Sequence, residues 1–119
     1  MKYYRQARFI IEEKFPSLNK FYSSPHWTYR SSQKQKYRKM FDKLIQQAGL
    51  SNIQEYELSL VINNRMDIDN TVMLFKFFND SLKHNGVVPD DSPKYFKHLE
   101  IMSSKEIDKD TAILSIFYR

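Results

Sequence analysis

An α/β (α+β) domain of four strands and two main helices, in the order β-α-β-α-β-β, is what the hydrophobic pattern of this 119-residue chain predicts. Two observations carry that expectation. Leu58, Leu60 and Ile62 alternate with Glu57, Ser59 and Val61, as on a strand with one covered face. Thr71, Leu74, Phe75, Phe78 and Leu82 instead recur at helical spacing, as do Tyr37, Met40, Phe41, Leu44 and Ile45.

The elements follow in order. Arg8 to Phe15 reads as the first strand, ended by Pro16. A loop is expected from Ser17 to Ser32, with Phe21, Tyr22, Trp27 and Tyr29 interleaved with Lys20, His26 and Arg30. That composition suits a surface that stacks bases or sugars while neutralising phosphate. For Trp27, core packing beneath the loop is the alternative. From Gln33 the pattern turns helical and stops at Gly49, with Lys36, Lys39 and Lys43 opposite the apolar face. Tyr56 to Ile62 is the second strand, and Asn63-Asn64-Arg65 leads on to Asp67 and Asp69 at the start of a helix from about Asn70 to Asn85. On that helix Asp69, Met73, Lys76, Asp80 and Lys83 are expected opposite the buried stripe, and Gly86 ends it. Tyr95 to Met102 and Thr111 to Tyr118 are the closing strands, joined through Ser103 to Asp110.

Composition excludes several classes of function. With 41% hydrophobic and 15% aromatic residues the chain is not disordered, and its length suits one domain spanning residues 1–119. The absence of cysteine removes disulfides, thiol nucleophiles and thiolate metal sites. No apolar run is long enough to span a bilayer, and Met1-Lys2-Tyr3-Tyr4-Arg5 has no signal-peptide apolar region, so a cytoplasmic protein is expected. The net charge of +5 is unevenly spread: residues 1–49 carry +8 and residues 50–119 carry −3. Such a chain could grip a polyanion with its first half and hold a metal with its second. The run Lys34, Lys36, Arg38, Lys39, Lys43 supplies much of the positive charge, although many such runs are only solvated helix faces.

The carboxylates carry the chemistry. Asp67 and Asp69 alternate, so extended backbone would point both to one side, and Pro89-Asp90-Asp91-Ser92 could add Asp90 or Asp91. Hard oxygen donors of this kind suit Mg²⁺ or Mn²⁺ better than zinc, since cysteine is absent and the three histidines do not cluster. Lys76 sits two turns beyond Asp69 and leans back toward it, because helical side chains tilt toward the N-terminus.

These residues, in this order, resemble the RusA family of Holliday junction resolvases, small phage and prophage endonucleases that cut four-way DNA junctions. The resemblance rests on Asp67-Ile68-Asp69-Asn70, the helix with Lys76 and Asp80-Ser81-Leu82, and Gly86-Val87-Val88-Pro89-Asp90-Asp91. Upstream, Pro16-Ser17-Leu18-Asn19-Lys20-Phe21-Tyr22 is similar to a Pro-Ser-x-Asn-aromatic segment of the family. The resemblance implies a small mixed sheet, a homodimer, magnesium dependence and a phage- or prophage-encoded protein acting in the cytoplasm of a bacterial host. It implies catalytic roles for Asp67, Asp69, Asp91 and Lys76, with Asp67, Asp69, Asp91 and Asp90 around the metal. The best-known pattern places its lysine one turn after Asp-Asn, where this chain has Met73, and Lys76 comes a further turn on. Candidate nucleic-acid contacts are Asn19, Lys20, Tyr22, Arg30, Lys34, Lys36, Lys39, Lys43 and Arg65.

The implied reaction is phosphodiester hydrolysis, with metal-activated water as nucleophile and lysine stabilising the developing charge. A catalytically silent nucleic-acid-binding or regulatory phage protein of the same fold is the alternative, and retention of all the carboxylates favours the enzyme.

Overall fold

The computed structural model describes residues 5–12, 18–23, 26–64 and 68–119, with the side chains of Leu18, Asn19, Asp69 and Asn70 outside that description. It is an α+β fold in which a four-stranded mixed sheet carries its helices on one face. The elements are β1 (Arg5–Ile11), α1 (Leu18–Ser23), α2 (Trp27–Ala48), β2 (Tyr56–Asn63), a 3-10 turn (Ile68–Val72), α3 (Met73–His84), β3 (Phe96–Ser103) and β4 (Thr111–Tyr118).

Spatial order in the sheet is β1-β4-β2-β3. β4 runs antiparallel to both β1 and β2, while β3 runs parallel to β2. A parallel pair needs a crossover rather than a tight hairpin, and α3 supplies it. The two closing strands are therefore not neighbours, because β2 lies between them. Strand alternation decides the covered face: Phe9, Ile11, Leu58, Leu60, Ile62, Ala112, Leu114 and Ile116 are buried against the helices.

Two aromatic chains tie the helices to that face. The Phe78 ring lies 5.7 Å from Phe9 on the sheet and 5.3 Å from Phe41 on α2. Phe77 stacks on Tyr37 at 4.9 Å with nearly parallel planes, and meets Phe21 of α1 at 5.7 Å edge to face. Truncating a ring such as Phe78 would cost about 3–5 kcal/mol, since transfer and cavity terms add. At the far end, Arg38 hydrogen-bonds His84, and Asn85 donates to Asp42 at 2.7 Å, joining α2 to the end of α3. Gly49 adopts φ +68° where its N–H closes α2 onto Gln46, a left-handed cap that a side chain would strain.

Several expected boundaries move. β1 starts at Arg5 and its pairing with β4 ends at Ile11, with Glu12 already outside the strand; the expected continuation over residues 13–15 lies outside the described residues. The expected loop over residues 17–32 holds α1 and the first turns of α2 instead. Trp27 is 70% exposed at the start of α2, so core packing is excluded for it. Met73, expected on the outer face of α3, is 2% exposed. The reason is that α3 is covered on two sides: Phe77, Asn79 and Ser81 are buried along with the stripe of Leu74, Phe75, Phe78 and Leu82. Lys76 and Asp80 remain exposed, as expected.

Candidate active site

The end of β2 is held firmly. Asn63 donates from Nδ2 to the Ile107 carbonyl at 2.8 Å, and its own carbonyl accepts the Asp110 N–H at 2.7 Å. Beyond it, Thr71 donates its hydroxyl to the Ile68 carbonyl at 2.6 Å and is itself fully buried, which anchors the 3-10 turn. That turn lies against α1, β3 and the start of α3. Asp69 therefore belongs to a tight helical turn. The expected extended alternation with Asp67 does not apply to its backbone, since successive residues of a 3-10 turn fan out by about a third of a turn each. Asp67 and Arg65 lie outside the described residues.

A cleft of about 390 Å³ opens beside this turn, lined by Tyr22, Lys34, Val72, Lys76, Asp80, Asp91 and Leu99 among others. Five separate stretches of chain meet there. Lys76 donates to the Tyr22 hydroxyl at 3.4 Å, and its ammonium sits 5.5 Å from the centre of the Tyr22 ring. Lys83 stands 3.6 Å from Asp80 and 3.5 Å from Asp91, so one ammonium joins a helix carboxylate to a loop carboxylate. Neighbouring Asp90 is exposed, and its carboxyl is held below the usual range. The Asp91 backbone N–H is the main cause, with the Ser92 side chain and the charge of Lys83 adding to it.

Behind the carboxylates lies a buried polar pair. Tyr56 donates to Asn79 Oδ1 at 2.6 Å, and its ring stacks on Phe96 at 5.0 Å. Burial pushes the Tyr56 hydroxyl pKa up, and the negative charges of Asp91 and Asp90 push it further. A neutral phenol is thereby kept under the acidic loop.

The expected nucleic-acid contacts divide. Lys34 faces the cleft, whereas Lys36, Lys39 and Lys43 are exposed on the side of α2 opposite Tyr37, Phe41 and Ile45. Lys20 and Tyr22 are exposed on α1, which also carries Asn19, and Arg30 is half-buried in the second turn's reach of α2. Three participants went unassigned in the sequence: Lys83, which joins the carboxylates, and the pair Tyr56 and Asn79. Lys83 is legible in retrospect, three residues after Asp80 on one helix face. Tyr56 and Asn79 are not, since their meeting depends on how α3 docks on the sheet.

Among the described residues, no group of three or more histidines and carboxylates converges as a cation site. The donors that do line the cleft, Asp80 and Asp91, are hard oxygen ligands of the kind Mg²⁺ takes. A second, more open groove of about 770 Å³ lies beyond the Gly86–Tyr95 connection, between Asn52, Glu55, Pro89, Lys94 and Lys97. No protein-family model and no curated protein matches the chain. Among the described residues, no helix is long and apolar enough to cross a membrane.

Proposed function

We propose that the protein is a Mg²⁺-dependent, structure-specific endodeoxyribonuclease of the RusA type, hydrolysing phosphodiesters in four-way junctions or related branched DNA. One observation carries this reading. Lys34 and Lys76 share a cleft with Asp80 and Asp91, next to the turn that carries Asp69. Carboxylates flanked by lysines are what a site needs if it must hold a cation and admit a phosphate.

In this reading Asp67, Asp69 and Asp91 hold the metal, with Asp90 and Asp80 beside them. Bound Mg²⁺ would lower the pKa of the attacking water and offset charge on the phosphorane and leaving oxygens. Lys76, restrained by Tyr22, donates to a non-bridging oxygen of the scissile phosphate as a compact point charge. Tyr22, 52% exposed, offers a ring on which an unstacked base can lie. Lys36, Lys39 and Lys43 grip duplex arms without reading bases, so affinity comes from charge and selectivity from junction shape. Action in the cytoplasm of a bacterial host and a dimer with two such sites complete the proposal.

The test is cleavage of a synthetic four-way junction beside linear duplex of the same sequence, with and without Mg²⁺, by the wild type, Asp69→Asn and Asp91→Asn. The wild type should cut the junction alone and only with metal, while both variants bind the junction without cutting it. Junction binding with no wild-type cleavage under any divalent cation would favour the silent binding protein. Asp69→Asn cutting at the wild-type rate would sink the metal-site assignment.

A further inference from the structure

Among the buried residues that line the cleft, one is polar. Phe21, Met73, Phe75 and Phe77 make its depth apolar, and Asn79, 5% exposed, stands with them as the single amide. The charges of Lys34, Lys76 and Asp80 are exposed at its mouth. Tyr56 fixes how Asn79 is turned. The phenol donates to Oδ1 at 2.6 Å, so the oxygen is engaged and the two N–H groups of Nδ2 point away from it. Among the described residues Nδ2 meets no acceptor, and it is not sealed from solvent. A buried amide with its oxygen satisfied and its donors open to a cleft calls for an acceptor from outside the protein.

We infer that the cleft takes one unstacked nucleobase, and that Asn79 selects a base carrying a carbonyl oxygen, such as guanine or thymine, over adenine. The cleft volume of about 390 Å³ lies within the range of roughly 300–1,000 Å³ for small-ligand sites. A flat, largely apolar ring suits its depth, and Tyr22 and Leu99, 52% and 41% exposed, line the way in. A phosphate does not suit that depth, because burial among phenylalanines would strip its water without supplying a matching charge. It stays with Lys34 and Lys76 at the mouth. Selectivity then follows from the amide. Guanine O6 and thymine O4 are acceptors, whereas adenine presents its N6 amine, which would set N–H against N–H. Asparagine ordinarily reads adenine by using Oδ1 and Nδ2 together, and Tyr56 closes that mode by occupying Oδ1. Asn79 thus touches the substrate, and Tyr56 is a positioning residue acting through it. The inference rests on the nucleic-acid substrate proposed above, not on its hydrolysis.

The experiment is equilibrium binding in EDTA, by fluorescence anisotropy, of two otherwise abasic single strands, one carrying a central hypoxanthine and the other a central adenine. The two bases share a purine ring and differ chiefly in having O6 in place of the N6 amine. The wild type should bind the hypoxanthine strand roughly tenfold tighter, the scale of one well-placed base contact. Asn79→Leu should bring the ratio close to one. Tyr56→Phe keeps the amide but frees it to turn its oxygen outward, so the ratio should fall through tighter binding of the adenine strand, a gain that damage to the fold would not give. Each single change leaves a buried polar partner unpaired, whereas the double variant Tyr56→Phe with Asn79→Leu removes both and keeps the fold, checked by far-ultraviolet circular dichroism. Its ratio should also be close to one. Equal wild-type affinities, no measurable binding of either strand, or a preference for hypoxanthine that survives in Asn79→Leu or in the double variant would each overturn the base pocket. Absence of junction cleavage in Mg²⁺ with this preference intact would instead overturn the nuclease reading and leave the pocket standing.

Discussion

Lys83 lies 3.5 Å from Asp91 and draws that carboxylate toward α3. The same ammonium is 3.6 Å from Asp80, so the acidic lining of the cleft is partly neutralised before any cation arrives. All three groups are at least a third exposed, and solvent screening keeps the pairs to a small contribution, under about 1 kcal/mol. Their consequence is competition. A divalent ion that takes Asp91 must displace Lys83.

Lys83→Gln should therefore lower the Mg²⁺ concentration at half-maximal cleavage several-fold, while the denaturation midpoint moves little. Metal titrations of the cleavage rate, read beside urea melts, check both parts. A higher metal requirement would show that Lys83 supports the site rather than guarding it.

Lys76→Ala should cut the single-turnover cleavage rate by roughly two orders of magnitude, the scale for losing one charge-stabilising donor. Junction affinity should hardly change. Tyr22→Phe removes the acceptor of the Lys76 hydrogen bond but keeps the ring, so its rate should fall by less. An undiminished single-turnover rate in Lys76→Ala would leave the reaction to the metal and carboxylates alone.

On α2 the lysines divide by direction, and their variants should divide too. Replacing Lys36, Lys39 and Lys43 together by Gln should weaken binding to every DNA structure and flatten its salt dependence by up to about one unit of slope per lost phosphate contact. Lys34→Gln, at the cleft, should affect cleavage more than this salt slope. Filter binding over a range of NaCl, with single-turnover rates alongside, separates the two effects. Equal slopes in wild type and triple variant would make the outer face merely solvated.

The Tyr56 hydroxyl gives a prediction in stability and pH. Tyr56→Phe preserves the stack on Phe96 but leaves Asn79, 5% exposed, without its donor, at a cost of about 1–3 kcal/mol. Because burial and the neighbouring carboxylates raise the Tyr56 pKa in the fold, its stabilisation is complete below the unfolded phenol value of about 10 and is lost as pH rises above it. The gap between wild type and Tyr56→Phe should thus be constant near neutrality and narrow above pH 10. Thermal melts at pH 7, 9 and 11 measure it.

Much of this was legible in the residues, for identifiable reasons. β4 runs from Thr111 to Tyr118 as read, because Ala112, Leu114 and Ile116 alternate with outward residues and Asp110, at φ +60°, breaks the strand before it. Gly49 marked the end of α2 correctly, since only its left-handed conformation closes that helix without strain. α1 escaped notice because six residues make too few turns to display a period. The first turns of α2 were hidden by Thr28, Ser31 and Ser32, weak helix formers that tertiary contacts override. Met73 was misjudged because a 3.6-residue period presumes one covered side, whereas α3 lies between the sheet and the other helices. In the cleft, Lys76 is read from its spacing to Asp69, whereas spacing leaves Asp90 and Asp91 open and only the family resemblance singles out Asp91. Lys34 entering beside them depends on the docking of α2 on α3, which no local pattern encodes.

Placing β4 between β1 and β2 sets a schedule for folding. Among the described residues β1 pairs with no strand except β4, so its hydrogen-bonding edge stays open until residues more than a hundred positions later arrive. During synthesis, a nascent chain that ends before Thr111 has β2, α3 and β3 with which to begin a parallel unit, but no central strand. Closing such distant segments is entropically slow, so refolding should be governed by the arrival of β4 rather than by helix formation. Until then the apolar faces of β1 and β2 are open to other chains, and the last eight-residue strand acts as the bolt that joins the two halves of the sheet.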